Sequence, residues 1–395
     1  MNSINNSLYI AYRYLVYHRV RTIMLVAALA IIIFVPILLD MVVAESQRRL
    51  NTRAEGTPLI LGEKGSSLDL AINSLYFIAK RPGDITMANI QNVDETELGY
   101  SIPLYTRFAS GQRRIVGTTP DYVDFRQLQL AEGRMFTILG EAVIGAKVAG
   151  DLKLAVGDTL ISSPENLFDL AGQYPLQMNI VGILAPTGTA DDEIIITDIQ
   201  TTWAMAGLCH GHQDLAKTGD ETVIIKRDKN KVTANSNLKT YTVNTEENLD
   251  SFHVHGDPET FPATAAVVVP NDEKSKTILL GRYQGYPDGI QLIQPRAVVQ
   301  QLIASILRIK RTLDTIVVTV GASTLMTIVL VFLLSIRLRE KELKTIFRLG
   351  CSRPAISGCI AAEILIIAAC SLILAMVLFT LAWSQSDLLI KQLIR

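Results

Sequence analysis

At 395 residues, with 49% hydrophobic and 19% charged side chains, the chain is too apolar for an ordinary soluble enzyme and too charged to lie in a membrane throughout. A formal net charge of −1 supplies no basic surface, which argues against a nucleic-acid partner. Of the four cysteines, Cys209 lies alone in the large central segment, Cys351 in the loop after the second apolar run, and Cys359 and Cys370 on or near the third, so an intramolecular disulfide has no plausible partners across those segments.

The first stretch, "SLYIAYRYLVYHRVRT", sets aromatic and apolar residues on one side and basic residues at its end, so residues 1–22 read as an amphipathic helix at the cytoplasmic membrane face. Next comes "IMLVAALAIIIFVPILL", within residues 23–44, which predicts the first transmembrane helix, kinked near its outer end by Pro36. It reads as a retained span and not a cleaved signal, because no small-x-small cleavage site follows a short apolar core.

Residues 45–310 read as a large α+β domain. It opens with "LILGEKGSSLDL", where Gly62, Lys64, Gly65 and Ser66 have the composition of a phosphate-cradling loop. A P-loop needs Lys directly after its last Gly, and the order here is Lys-Gly-Ser, so the segment carries no nucleotide site. Short β-rich runs follow between turn signals: "RRIVGTTP", "EAVIGAKVAGDLKLAVGDTLI", "MNIVGILAP", "EIIITD", "ETVIIKR" and "AAVVVP". A polar stretch at about 228–262 shows little periodicity and reads as a long loop or insertion.

Two His-x-His pairs fall in this domain: His210 and His212 in "CHGHQD", and His253 and His255 in "FHVHGD". Imidazoles ligate zinc or copper, and Cys209, Asp214 or Asp257 could complete a site if the two segments converge. The bland alternative is four polar loop residues with no shared role. No nucleophile–base arrangement is present that would activate a hydroxyl.

From Val299 through Leu302, Ile306, Ile309 and Leu313 to Ile316, apolar residues recur at spacings of three and four. This predicts a stalk helix at about 296–314 running without a breaker into a second span at 315–336. A third span covers 355–383, and residues 384–395 are too short to cross again, reading as an interfacial helix.

Basic residues set the orientation. Arg13, Arg19 and Arg21 precede the first span, and Arg337, Arg339, Lys341, Lys344, Arg348 and Arg353 lie in or beside the loop 337–354, opposed only by Glu340 and Glu342. Short Lys/Arg-rich loops stay inside, which places the N-terminus in the cytoplasm and both the large domain and the C-terminus outside a cytoplasmic (inner) membrane. Glu363, near the inner end of the third span, reads as a packing carboxylate within reach of Arg353.

The loop itself, "RLREKELKTIFRLGCSRPAI", describes one short amphipathic helix ended by Gly350, with Ser352 or Pro354 starting the next. Its segment "REKELKTIFRLGCSR" resembles the coupling helix of MacB/FtsX-type ABC transporter permeases. The N-terminal "SLYIAYRYLVYHRVRTIML" and the outer pieces "RRIVGTTPDY", "LAEGRMF", "EAVIGAKVAGDLKLAVGDTL" and "NIVGILAPTGTADDEIII" are similar to that family in the same order. The resemblance implies a permease that pairs with a second copy and is driven by a separate cytoplasmic ATPase dimer. ATP would be bound by that partner, with no cofactor in this chain and no catalytic residue. Docking would fall to Arg339, Glu342, Thr345, Leu349 and Gly350. A periplasmic adaptor or substrate-binding protein and membrane lipids complete the expected partners. One departure is plain: such permeases usually have four spans, and three are read here. The alternatives are an FtsX-like regulator of an extracytoplasmic partner such as a cell-wall hydrolase, and a membrane-anchored sensor with no ATPase.

Overall fold

The computed structural model describes residues 2–78, 81–163, 175–211, 224–228, 231–234, 242–243, 252–254, 256–286, 289–348 and 350–384. The chain divides into a helical unit, residues 1–48 and 303–395, and an α+β unit, residues 49–302.

The helical unit holds α1 (Asn2–Tyr17), most of α2 (Arg19–Glu55) and of α9 (Pro295–Leu338), then α10 (Glu340–Arg348) and α11 (Arg353–Ser384). α2, α9 and α11 are long and apolar enough to cross a membrane; in this chain alone most apolar side chains of the α9 and α11 spans are exposed and most of those of the α2 span half-buried. α1 packs on α11 through buried Ala11 and Leu15, one turn apart, while Tyr9, Tyr12 and Tyr17 stay exposed. Leu15, Leu25 and Ile367 form the small core of this unit with Ile328 and Val331.

Two findings extend the sequence reading. α2 runs unbroken through Pro36 and continues past residue 44 to Glu55. The extension "ESQRRLNTRAE" shows no apolar stripe, yet Leu50, Arg53 and Ala54 are buried, with Thr57 just beyond the helix end. The spacing of three to four is helical; the buried face is partly polar, and so invisible to a hydrophobic pattern. α9 is a single 44-residue helix from Pro295, where proline is tolerated in a first turn, to Leu338.

The α+β unit is built on two sheets. One is antiparallel, in the order Ile290–Ile293, Leu59–Glu63, Ala265–Pro270, Gly99–Leu104. The other is mixed and eight-stranded. Its main path runs Thr242–Val243, Leu176–Leu184, Glu141–Ile144, Ile195–Asp198, Arg113–Thr118, Ala109–Ser110, with Leu130–Gly133 and Thr159–Ile161 also paired to Leu176–Leu184. Alternation explains its apolar runs. Ile115, Ala142, Ile144 and Ile195 enter one cluster with Trp203 and Phe261, while their neighbours Val116, Val143 and Ile196 enter another with Tyr122 and Leu184. A strand buried on both faces reads as continuous β-branched residues, as "EAVI" and "EIIITD" do.

Helices α3 (Ser67–Tyr76), α4 (Met87–Asp94), α5 (Asp121–Arg126), α6 (Ala146–Leu152), α7 (Ile199–Met205) and α8 (Glu273–Tyr283) belong to this unit. Several carry the expected side-chain caps: Ser66, Thr86, Asp198 and Asp272 each accept a backbone N–H of their helix.

The polar stretch at 228–262 differs from a structureless loop. Its described residues include the end of Ile224–Asp228 and its hairpin partner Lys231–Ala234, Thr242–Val243 on the edge of the mixed sheet, Phe252–Val254, and Pro258–Thr260 as a 3-10 turn. Strands of two to four residues are too short to display a period, so their pairing escaped sequence analysis. Of the tail predicted as a helix, 384–395, Ser384 ends α11 and residues 385–395 lie outside the described residues.

Candidate functional site

The glycine-rich segment is a strand-to-helix turn, Leu59–Glu63 leading to α3, which is the setting a phosphate loop requires. Its residues are used otherwise. A Cβ on Gly62 would lie 2.3 Å from Leu70 Cδ1, so glycine lets α3 pack against the strand. Ser66 caps α3 by accepting from Asp69 N, and Lys64 N donates to Gly289 O. Asp69 also places a carboxylate in the first turn, where a phosphate would need positive potential.

The loop between the second and third long helices forms α10. Gly350 follows at φ +99°, a conformation that favours glycine, and its N–H donates to Phe347 O. α11 begins immediately after, at Arg353 and Pro354. On α10, Thr345 is exposed with its Oγ1 donating to Lys341 O, and Lys344 pairs with Glu340 across one turn at the surface. Phe347 is exposed beneath the Arg353 guanidinium. The side chain of Glu342 and the whole of Leu349 lie outside the description.

Arg339 is placed differently from its expected outward role. It is the single residue between α9 and α10, and its Nη1 donates to Glu363 Oε1 at 2.7 Å, with the two side chains only 16% and 5% exposed. The guanidinium also lies 3.5 Å above the Tyr14 ring. Glu363 thus pairs with Arg339 and not with Arg353, because α9 and α11 bring those two inward-facing positions together. Beside this joint, Arg21 Nη1 donates to Ser335 Oγ and to Tyr14 OH, tying α2 to α9 and α1.

A second polar cluster, unpredicted from sequence, sits inside the α+β unit. Arg53 Nη1 and Nη2 donate to the two Asp191 oxygens at 2.6 and 2.9 Å, and Nη2 also donates to Tyr122 OH. Tyr122 OH donates to Asp191 Oδ1 at 2.7 Å, and Thr189 Oγ1 to Oδ2. Burial pushes the Asp191 carboxyl up, but the Arg53 charge, the Arg53 hydrogen bonds and the Tyr122 hydroxyl outweigh it and hold the group at about 2. Burial also pushes the Tyr122 hydroxyl up, and there it prevails, to about 12. The only sequence signal was an arginine and an aspartate 138 residues apart, which no local pattern connects.

The two histidine segments do meet. Cys209–Gly211 and Phe252–Val254 form an antiparallel pair in which His210 stands opposite His253. His212 and His255 lie outside the described residues. Among the described residues no cluster of three His, Cys, Asp or Glu side chains is spaced to hold a metal. Cys351, Cys359 and Cys370 are free thiols.

Three long apolar helices carrying an independent α+β unit define a membrane protein with a large non-membrane domain. The chain belongs to the MacB-like periplasmic core domain family, whose model matches residues 22–238, and with it to the MacB/FtsX-type ABC transporter permeases. The domain is therefore extracytoplasmic and the protein a transporter subunit. Among solved structures, the extracellular domain of the noncanonic ABC-type transporter YknZ from Gram-positive bacteria is 12% identical over 60% of this chain and 98% of its own, with a TM-score of 0.33. The periplasmic region of MacB from Actinobacillus actinomycetemcomitans is 10% identical over 64% of this chain and 97% of its own, with a TM-score of 0.35. No curated protein sequence matches the chain.

Proposed function

We propose that this permease is a mechanotransmission subunit, in which a separate cytoplasmic ATPase dimer moves α10 and long helices carry the movement to the extracytoplasmic domain. One observation carries the reading: α9 is unbroken from Pro295 to Leu338, and only Arg339 separates it from α10. A continuous helix transmits displacement along its axis, whereas a loop absorbs it. The Arg339–Glu363 pair, stacked on Tyr14, stiffens the joint where the push would enter. Glu342, Thr345, Leu349 and Gly350 remain the proposed ATPase contacts, and Arg339 positions them.

In this reading the chain spans the inner membrane three times, with its N-terminus and α10 inside. ATP is hydrolysed by the partner, and export or extraction of substrate takes place on the outer side. Pairing with a second copy is supported by α9, where Ile309, Leu313 and Ile316 of the predicted seam are 63%, 41% and 53% exposed. The test is co-reconstitution with the cognate ATPase. Gly350→Val, which forces a β-branched residue to positive φ at about 1–2 kcal/mol, should abolish stimulation of the ATPase while membrane insertion stays unchanged. Glu342→Gln should weaken stimulation in the same assay. Full stimulation in both variants would remove the docking assignment.

The cross-strand register of His210 and His253 supports one addition, a zinc or copper site on the outer domain. Residues directly opposite on an antiparallel pair share a face. Calorimetry on the full chain in detergent near neutral pH should show one metal bound per chain, lost in His210→Ala and in His253→Ala. No heat above the blank titration would dismiss the site.

A further inference from the structure

Within the helical unit, the α1–α2 turn, α2 and α9 enclose an open groove of about 740 Å³. Its two ends differ in chemistry. Tyr17, His18, Arg19 and Arg21 line one end, and Met24, Ala28, Ile328 and Val331 line the other. Thr324 and Thr327 also border the apolar end, but each donates its hydroxyl to its own helix, to Val320 O and Ser323 O, and so asks for no polar ligand.

Arg21 carries the argument further. One of its nitrogens is used by Ser335 and Tyr14, whereas Nε and Nη2 are buried with no hydrogen-bond partner among the described residues. Buried, unfilled guanidinium donors are costly, and more so beside hydrocarbon, where water cannot serve them. Arg19, two residues away, is exposed and adds a second positive charge at the same end. From Arg21 to Ala28 a helix rises about 10 Å, enough to seat much of one acyl chain below a headgroup.

We propose that this groove is a binding site for an anionic phospholipid. Its phosphate would face the exposed Arg19 and meet the unpartnered Arg21 donors as that guanidinium turns from Tyr14 towards the groove, and one acyl chain would lie along Met24, Ala28, Ile328 and Val331. Charge complementarity at one end and an apolar run at the other match the two halves of such a lipid and of no soluble anion. The level of the headgroup rests on the membrane-spanning reading given above.

The test is native mass spectrometry of the full chain released from detergent with added dioleoyl phosphatidylglycerol or dioleoyl phosphatidylcholine. Phosphatidylglycerol should form a one-lipid adduct at about 25-fold lower concentration, Arg19 and Arg21 each contributing about fivefold. Arg19→Gln should reduce that preference about fivefold, and Ala28→Phe, which fills the apolar end without changing charge, should remove the adduct. Arg13→Gln, on α1 and outside the groove, should change nothing. Equal adducts with both lipids, or an equal loss in Arg13→Gln, would reduce the effect to diffuse attraction and overturn the site. Lipid adducts confined to monomers would show that a second copy occupies the groove and would equally overturn it. Should the chain stay soluble without detergent, the membrane-spanning reading fails instead, an outcome separate from either result.

Discussion

Arg53→Met is expected to destabilise the α+β unit by about 3–5 kcal/mol, because it strands a buried carboxylate without its cation. Asp191 is 1% exposed and would keep only the hydrogen bonds of the Tyr122 and Thr189 hydroxyls and the more distant Arg126 charge. Arg53→Met combined with Asp191→Asn should recover much of the loss, since removing both charges leaves no uncompensated ion. pH provides the sharper check. In the native protein the Asp191 pKa, at about 2, lies below its ordinary value, so the pair stabilises the fold above about pH 4. That contribution, about 2 kcal/mol from the shift, is lost as the pH falls through 2. In Arg53→Met, burial, the largest influence on this carboxyl, is opposed only by the Tyr122 hydroxyl and the Arg126 charge, so its pKa rises and the sign reverses. The variant should regain stability relative to the native protein as the pH is lowered from 7 towards 4. Thermal unfolding of the full chain in detergent measures both. A variant gap that stays constant with pH would show that Arg53 contributes packing and not charge compensation.

The pair also closes one end of a helix. Arg53 sits in the last turn of α2, the helix that begins in the first apolar run, and Asp191 sits in a turn leading to the mixed sheet. A bidentate, buried pair fixes the helix end far more firmly than apolar contact alone, because planar geometry restricts rotation as well as distance. Leu50, Ala54 and the Tyr76 hydroxyl, which donates to Leu50 O at 2.7 Å, complete that anchor.

The second large effect is expected from Ile309→Pro. Proline removes a backbone donor and clashes with the carbonyl four residues earlier, costing about 3 kcal/mol and kinking the helix. Ile309 is exposed, so the change leaves the core of the α+β unit intact while interrupting α9 before its apolar stretch. On the mechanotransmission reading proposed above, stimulation of a partner ATPase should fall at least tenfold, while insertion and the melting of the α+β unit persist. Ile309→Ala keeps the helix and should retain most of the coupling. Undiminished coupling in the proline variant would mean that the movement does not travel along α9.

The helical unit was largely legible in the sequence. A span declares itself by a run of apolar residues near twenty long, and the loop 337–354 declared its helix by an amphipathic pattern and its end by Gly350. These are local properties, because a bilayer imposes the same requirement on every turn of the chain. The paired β-rich runs of the mixed sheet were legible for a similar reason: burial on both faces leaves an uninterrupted β-branched signature.

Tertiary structure alone decided the rest. It turned Arg339 inward to Glu363, joined Arg53 to Asp191, and set His210 across from His253. Each of these depends on which residues the fold brings together over a long stretch of chain, and a charged residue carries no local mark of its partner. Apolar burial is written in the sequence because every buried position needs the same chemistry. Polar pairing is not, because a buried charge is satisfied by one particular neighbour, and only the folded chain supplies it.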